Sequence, residues 1–226
     1  MIVRGNRIAA VGNADSTPVP GGARVVDGRG KFLIPGLWDM HVHTTVPAGQ
    51  DLLALYPVNG VTGVRDMAGD WDRIVAWRKD IAAGLVTGPR NLASGPYLEG
   101  GTTPIRHLVT RTPDEARAAV DSLARMGVDF IKVHGRLDRP TFFAAARRAR
   151  ERGLSFAGHV PRVVGAKDAS DSGQRSIEHL LAIPVFCSPA DSTALQPRFT
   201  VQGALGRCTS EALDRSTGGW PATAPG

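Results

Sequence analysis

The tripeptide His41-Val42-His43 follows an apolar run, residues 32–38, and the acid Asp39. On a β-strand, residues two apart point to the same side, so both imidazoles can reach one point at the carboxyl end of the strand. Imidazole nitrogens bind zinc and similar ions, although a His-x-His pair alone is weak evidence for a metal site. The pair therefore predicts a metal site only if other ligands approach the same point.

Three later segments share this form, in which an apolar stretch ends in a residue that can bind a metal. The final residues are Lys132, His159 and His179. Each segment is predicted to be a short buried strand whose last residue faces a common centre.

Amphipathic patterns over residues 112–126 and 139–152 predict helices between these strands. The first begins at Thr112, where threonine can cap, Pro113 fits the first turn, and two acids oppose the helix dipole. Alternating strands and helices predict parallel strands with right-handed crossovers. Functional residues at successive strand ends indicate an α/β protein with a β/α barrel rather than an open sheet.

The sequence does not support a nucleotide-binding, nucleic-acid-binding or membrane-spanning protein. The sequence has neither a Gly-x-Gly-x-x-Gly turn nor a Gly-Lys-Ser/Thr phosphate loop. The net charge is +6 and the pI about 10.0, but the most basic stretch, residues 147–152, is predicted to be the solvated outer face of a helix, so we do not expect nucleic acid as a partner. No apolar run approaches the ~18 residues of a membrane span. Cys187 and Cys208 are isolated, and neither define nor exclude a disulfide.

Five motifs, in order and spacing, resemble the amidohydrolase superfamily of metal-dependent hydrolases. The branch most similar contains imidazolonepropionase-like proteins and Xaa-Pro dipeptidases. The resemblance extends from about the first residues to about Pro189. The motifs are residues 35–43, 60–67, 130–133, 158–161 and 176–179.

The resemblance implies a ligand set for two divalent metal ions, with zinc expected. His41 and His43 would bind one ion, and His159 and His179 the other. Lys132, carboxylated by carbon dioxide to a carbamate, would bridge both. A lysine must first lose its proton, which burial favours, before its amine can add carbon dioxide. The alternative for Lys132 is an ordinary lysine whose ammonium reaches solvent.

Further residues near these strand ends have open roles. For His134, two residues after Lys132, we favour a substrate-pocket or structural role over a metal role. Tyr97 lies within a glycine-rich loop, residues 95–103, and His107 follows it; both residues either touch substrate or belong to a surface loop. Asp66 is expected to orient a ligand histidine, and a salt bridge between Arg65 and Asp66 is the alternative.

The aspartate that the family carries after its eighth strand has no counterpart here, because Asp191, Glu211 and Asp214 do not end a convincing apolar strand. About six strand–helix units are predicted, whereas such a barrel has eight strands. The chain is therefore expected to be truncated, as a partial (β/α)8 TIM-like barrel preceded by part of a small β-sandwich that starts with a hairpin over residues 1–12. The expected regions are a sandwich segment (1–31), an incomplete barrel (32–187) and a loop-rich tail (188–226) with a short helix around 210–215.

The resemblance implies a hydrolase that cleaves an amide or related C–N bond in a small substrate, dipeptides included, with weak or no turnover from this chain alone. One alternative is a non-catalytic remnant or subunit that binds metal weakly or not at all. Another is a single-metal enzyme in which Lys132 stays uncarboxylated. Association into a homo-oligomer is left open. Without a signal peptide the default compartment is cytoplasmic, or periplasmic or secreted if the N-terminus is incomplete.

Overall fold

The computed structural model describes residues 1–5, 7–46 and 49–180. The chain divides into two compact units, Met1–Pro35 and Gly36–Gly226. In the first unit, β1 (Ile2–Arg4) pairs antiparallel with β2 (Arg7–Ala10), and the register shifts once between them. This pairing matches the predicted hairpin, while the β-sandwich remains a prediction. The tail predicted from residue 188 onward, with its short helix and its three acids, lies outside the described residues.

The second unit contains two parallel sheets. The three-stranded sheet has the order β3-β4-β5, formed by β3 (Leu37–Val42), β4 (Val61–Asp66) and β5 (Arg90–Ala93). The five-stranded sheet has the order β10-β9-β8-β6-β7, formed by β6 (Tyr97–Glu99), β7 (His107–Val109), β8 (Phe130–Val133), β9 (Ser155–Gly158) and β10 (Gln174–Ile177). Every pairing within these two sheets is parallel, as predicted from the alternating pattern.

Strands β5 and β6 both lie beside β8, although residues 94–96 separate them. The Asp129 amide donates to the Ala93 carbonyl at 3.0 Å just before β8, and Leu98 of β6 is paired with Val133. Strand β7 pairs with β6 on the side away from β8, and the other strands follow chain order around β8, from β3 to β10. This α/β arrangement is compatible with part of a TIM-like barrel, and closure of the barrel remains a prediction.

Five α-helices lie between the strands of the described residues, and the two longest are those predicted from sequence. Thr112 Oγ1 accepts a hydrogen bond from the Glu115 amide at 3.2 Å, and the Glu115 carboxylate accepts one from the Thr112 amide at 3.2 Å. The second of these helices begins after Asp138, which accepts from the Thr141 amide at 2.8 Å. The helices are α1 (Leu55–Val58), α2 (Trp71–Ala82), α3 (Pro113–Met126), α4 (Arg139–Glu151) and α5 (Ala166–Asp171).

Side chains alternate between the two faces of β8, and this alternation determines what faces the site. Ile131 and Val133 belong to the large core that packs against the helices. Phe130 belongs to a small cluster on the opposite face of the sheet, and Lys132, two residues later, points the same way. The strand therefore buries a lysine on the face turned away from the helices.

Two arginines of the basic stretch at α4 pair with acids of the same chain. Arg148 and Arg152 both pair with Asp121 of α3, at 2.8 and 2.6 Å, and Arg148 also pairs with Glu151 at 2.8 Å. These pairs agree with the predicted outer helix face. None of the helices within the described residues is long and apolar enough to cross a membrane.

Candidate metal-binding site

The four histidines of the predicted ligand set form one continuous cluster at the carboxyl ends of β3, β9 and β10. The ring centroid of His41 lies 5.4 Å from that of His43 and 4.6 Å from that of His179. The ring of His159 lies 5.0 Å from the ring of His179. The carboxyl ends of parallel strands from both sheets bring these rings together, although His41 and His179 are far apart in sequence.

Lys132 lies beside this cluster and is only 2 % exposed. Its Nζ lies 5.5 Å from the centre of the Tyr97 ring, and no carboxylate of the described residues forms an ion pair with it. Burial lowers the pKa of Lys132 to about 8, although the charges of Glu178 and Asp66 oppose the change. A neutral amine is thus accessible close to neutral pH.

His43 has one ring nitrogen fixed by the backbone. Its Nδ1 lies 2.9 Å from the Ala68 carbonyl oxygen, and because a carbonyl only accepts, Nδ1 carries the proton. The lone pair of a neutral ring is then on Nε2, the nitrogen left for a ligand. Burial, aided by the charge of Lys132, lowers the pKa of His43, which favours this neutral form.

Asp66 does not hydrogen-bond to a histidine, so the expectation that it orients one directly is wrong. Its fully buried carboxylate accepts from the Thr44 amide at 2.8 Å, the Thr44 hydroxyl, and the Ala68 amide at 3.1 Å. Burial raises the pKa of Asp66, against the effect of these bonds. Asp66 instead secures the two backbone segments that flank His43.

Arg65 forms an ion pair with Glu178 rather than with its neighbour Asp66. The Glu178 carboxylate accepts from the Arg65 guanidinium at 2.6 Å and lies 2.7 Å from His41 Nδ1. Burial would raise the pKa of Glu178, but hydrogen bonds from His41 and Ser176 and the charge of Arg65 lower it to about 2. The motif over residues 176–179 contains Glu178 but indicates no role for it, because a partner 137 positions away cannot be inferred from local pattern.

His159 and His134 lie side by side, with ring centroids 4.2 Å apart. Burial, together with the charges of His134 and Lys132, lowers the pKa of His159 to about 3. His134 Nδ1 bonds to the Glu99 carboxylate, which is fully buried and also accepts from the Gly101 amide at 3.0 Å. Glu99, like Glu178, is a carboxylate beside the histidine cluster for which the sequence indicated no role.

Tyr97 lies on strand β6 and is 1 % exposed, so its alternative prediction as part of a surface loop is wrong. Its ring lies 5.0 Å from that of His134 and 5.9 Å from that of His107, and its hydroxyl bonds to Thr103. His107 Nδ1 lies 2.8 Å from the Ile105 carbonyl oxygen. Tyr97 and His134 therefore form one wall beside Lys132.

The backbone at the end of β10 turns sharply. His179 has φ of 60°, in the left-handed region that residues other than glycine seldom adopt. Because of this turn, two consecutive residues contact His41: Glu178 forms a hydrogen bond with it, and the ring of His179 packs against its ring.

The imidazole nitrogens of these histidines are donors that suit a divalent ion. The rings, however, approach one another in pairs rather than around one shared point. Within the described part of the chain, no group of three or more His, Cys, Asp or Glu side chains is arranged to hold a metal ion. However, His43 and His159 favour the neutral form, and His41 and His43 each have Nδ1 engaged by an acceptor. Neutral imidazole with the remaining nitrogen free is the form that binds zinc and similar ions.

Comparisons with known proteins give matches among solved structures. No family model matches the sequence, and no curated protein matches it. Bottromycin amidohydrolase is 27 % identical with a TM-score of 0.62, over 76 % of this chain and 38 % of that one. A candidate prolidase from Bifidobacterium longum is 27 % identical with a TM-score of 0.54, over 70 % of this chain and 42 % of that one.

Phenylurea hydrolase B has the same fold, at 23 % identity and a TM-score of 0.63, over 80 % of this chain and 55 % of that one. The chain spans about two fifths of the length of the bottromycin amidohydrolase and the candidate prolidase. The shared fold and the likeness to these two proteins agree with the motifs in the sequence. These matches support an amidohydrolase-superfamily identity for the chain.

Proposed function

We propose that this chain carries metal-binding residues of a hydrolase that cleaves an amide or related C–N bond in a small substrate such as a dipeptide. The observation that carries the proposal is the clustering of His41, His43, His159 and His179 beside a buried lysine. The likeness to bottromycin amidohydrolase and to the candidate prolidase supports this class of reaction.

In this proposal, His41 and His43 hold one divalent ion and His159 and His179 hold a second, with zinc as the expected metal. When bound, such ions lower the pKa of water and polarise the scissile carbonyl. Neutral imidazoles are suited to this task, and the lowered pKa of His43, His159 and His179 supports it.

Lys132 would supply the bridging oxygen ligand as a carbamate. Its neutral amine attacks carbon dioxide, an N–C bond forms as one C=O π bond breaks, and water takes up the proton released from nitrogen, which leaves an anionic carbamate. The pKa near 8 supports this step, because an appreciable fraction of the amine is then neutral at physiological pH.

Tyr97 and His134 would contact the substrate. Tyr97 offers an apolar ring, and His134 is held by the buried Glu99 so that one ring nitrogen is engaged. These two side chains favour a small substrate with both an apolar and a polar part, which a dipeptide provides.

A second candidate function is a non-catalytic subunit that binds metal weakly. It is favoured by the finding that the described residues contain no closed group of three or more His, Cys, Asp or Glu ligands. Elemental analysis of the purified chain separates the two candidates. The hydrolase proposal expects close to stoichiometric divalent metal, and the subunit proposal expects a trace.

The function is tested by the replacement His159→Ala, assayed for metal content and for hydrolysis of a dipeptide panel. We expect metal content to fall and any metal-dependent hydrolysis to be abolished. Asp171→Asn is the matched control, because Asp171 is exposed and pairs only with Lys167 among the described residues. Unchanged metal content and activity in His159→Ala would refute the proposed ligand set.

A further inference from the structure

We propose that Glu178 is a positioning residue that sets which ring nitrogen of His41 is protonated and fixes the direction of the ring. Arg65 and Ser176 hold the carboxylate in place for this task. The consequence for metal binding rests on the proposed function, whereas the protonation pattern of His41 does not.

The two oxygens of Glu178 have separate partners. Oε1 accepts from the Arg65 guanidinium at 2.6 Å and from the Ser176 hydroxyl at 2.7 Å. Oε2 lies 2.7 Å from His41 Nδ1. Because each oxygen is already engaged, the carboxylate cannot rotate without breaking hydrogen bonds at a site where only 8 % of the side chain is exposed.

Arg65 is itself fixed at three points. Its Nε donates to the Met40 carbonyl at 2.7 Å, and its two terminal nitrogens reach Ser176 at 3.0 Å and Glu178. Arg65 thereby connects the backbone beside His41 to the end of β10. A guanidinium only donates hydrogen bonds, so the Glu178 atom that faces Arg65 must be an acceptor.

The hydrogen-bonding rules then determine the state of His41. A carboxylate only accepts, so His41 Nδ1 carries the proton and the lone pair of the neutral ring is on Nε2. No described residue hydrogen-bonds to Nε2, which leaves that nitrogen for a ligand. A carboxylate behind a ligand histidine fixes the tautomer and the orientation of the ring.

Replacing Glu178 with glutamine should change which ring nitrogen of His41 is protonated. The amide oxygen must remain toward Arg65, because the guanidinium cannot accept a hydrogen bond. The amide NH2 group then faces His41 Nδ1, which has to become the acceptor. The proton moves to Nε2, and the nitrogen that was free for a metal is blocked in the neutral ring.

The test is nitrogen NMR of the metal-free chain with labelled histidine, at about pH 9 where an ordinary imidazole is neutral. The His41 signals are identified by their loss in His41→Asn. We expect the Nδ1-protonated form in the unaltered chain and the Nε2-protonated form in Glu178→Gln. A Nε2-protonated His41 in the unaltered chain would overturn the proposal, even if the glutamine variant cannot be purified.

A second readout is zinc affinity by competition with a chelator. We expect Glu178→Gln to weaken binding by about 10- to 100-fold. Glu151→Gln is the control, since Glu151 pairs with Arg148 on α4, and its affinity should be unchanged. A purely structural role would lower the melting temperature of the metal-free protein while leaving the protonated nitrogen and the zinc affinity as they were, and that result overturns the proposal.

The two failures are distinguishable. If the unaltered chain binds no zinc, the proposed function fails, and the NMR comparison still decides whether Glu178 sets the state of His41. If the chain binds zinc and Glu178→Gln binds it equally well with the same nitrogen protonated, the positioning role fails and the function stands.

Discussion

Replacing Lys132 with methionine should stabilise the metal-free protein at neutral pH. Methionine has a similar length and no charge, so it can fill the same space beside Tyr97. The replacement removes the cost of burying an ammonium that is 2 % exposed in the folded chain.

The size of the effect follows from the pKa of Lys132, which burial lowers from 10.5 to about 8. Each tenfold change in proton affinity corresponds to about 1.4 kcal/mol. Burying Lys132 in its charged form therefore lowers the free energy of unfolding by about 3 kcal/mol relative to burying the neutral amine. This cost applies in full below pH 8. Between pH 8 and 10.5 the folded state releases its proton before the unfolded state does, so the unaltered protein gains stability as pH rises. Glu178 and Asp66, whose charges raise the pKa of Lys132, and Arg65, whose charge lowers it, face the ammonium and are unchanged by the replacement.

The assay is urea unfolding of metal-free protein in buffers purged of carbon dioxide, at a series of pH values. We expect Lys132→Met to be more stable by about 3 kcal/mol at pH 7 and the difference to vanish by about pH 10.5. Lys79→Met, at an exposed position of α2, is the control and should show no such pH dependence. The reasoning is refuted if Lys132→Met is less stable at pH 7, or if the difference does not shrink above pH 8.

Three further replacements test the packing around the site by the same unfolding assay. Gly158→Ala should destabilise by more than about 1 kcal/mol, because Gly158 has φ of 127° and a Cβ there would overlap the Val133 carbonyl. Phe142→Ala should cost about 3 to 5 kcal/mol, since the fully buried ring of Phe142 fills the core behind the strands. Thr112→Ala should cost about 1 kcal/mol, because the Glu115 amide loses its capping acceptor.

Each of these three replacements has a control variant that tests the physical reason given for the loss of stability. Gly28→Ala has open space around the added methyl and should be close to neutral, and an equal loss there would contradict the steric argument for Gly158. Phe142→Leu should recover part of the loss, and no recovery would contradict the packing argument. Thr112→Ser should keep most of the cap, so a loss equal to that of alanine would show that the hydroxyl is not responsible.

Local chemistry allowed much of the fold to be predicted from sequence. The start of α3 was predicted from Thr112 and Pro113 because a helix start depends only on neighbouring residues. Strand β8 was predicted from the apolar stretch that ends at Lys132, and it spans Phe130–Val133. Strand β6 was missed because glycines on either side of Tyr97 favour a loop, whereas pairing with β7 and β8 decides its conformation.

The site was less predictable because its hydrogen bonds join distant parts of the chain. The sequence suggested that Asp66 would reach a histidine, and its carboxylate bonds instead to Thr44 and Ala68. The partner of Glu99 follows the neighbouring strand β8, and the partners of Glu178 on β3 and β4 belong to the other sheet. The sequence could have signalled Glu178 only as an acid that ends an apolar strand next to His179.

The bonds around Glu178 also bear on the order in which the molecule folds. The contact between His41 and Glu178 spans 137 positions, and those from Arg65 to Ser176 and Glu178 span 111 and 113. Contacts of such long sequence separation carry a large loop-closure entropy and form only after the intervening strands and helices have assembled. The His41 end of the site should thus be the last part to form, so weakening Glu178 should speed unfolding while leaving the folding rate nearly constant.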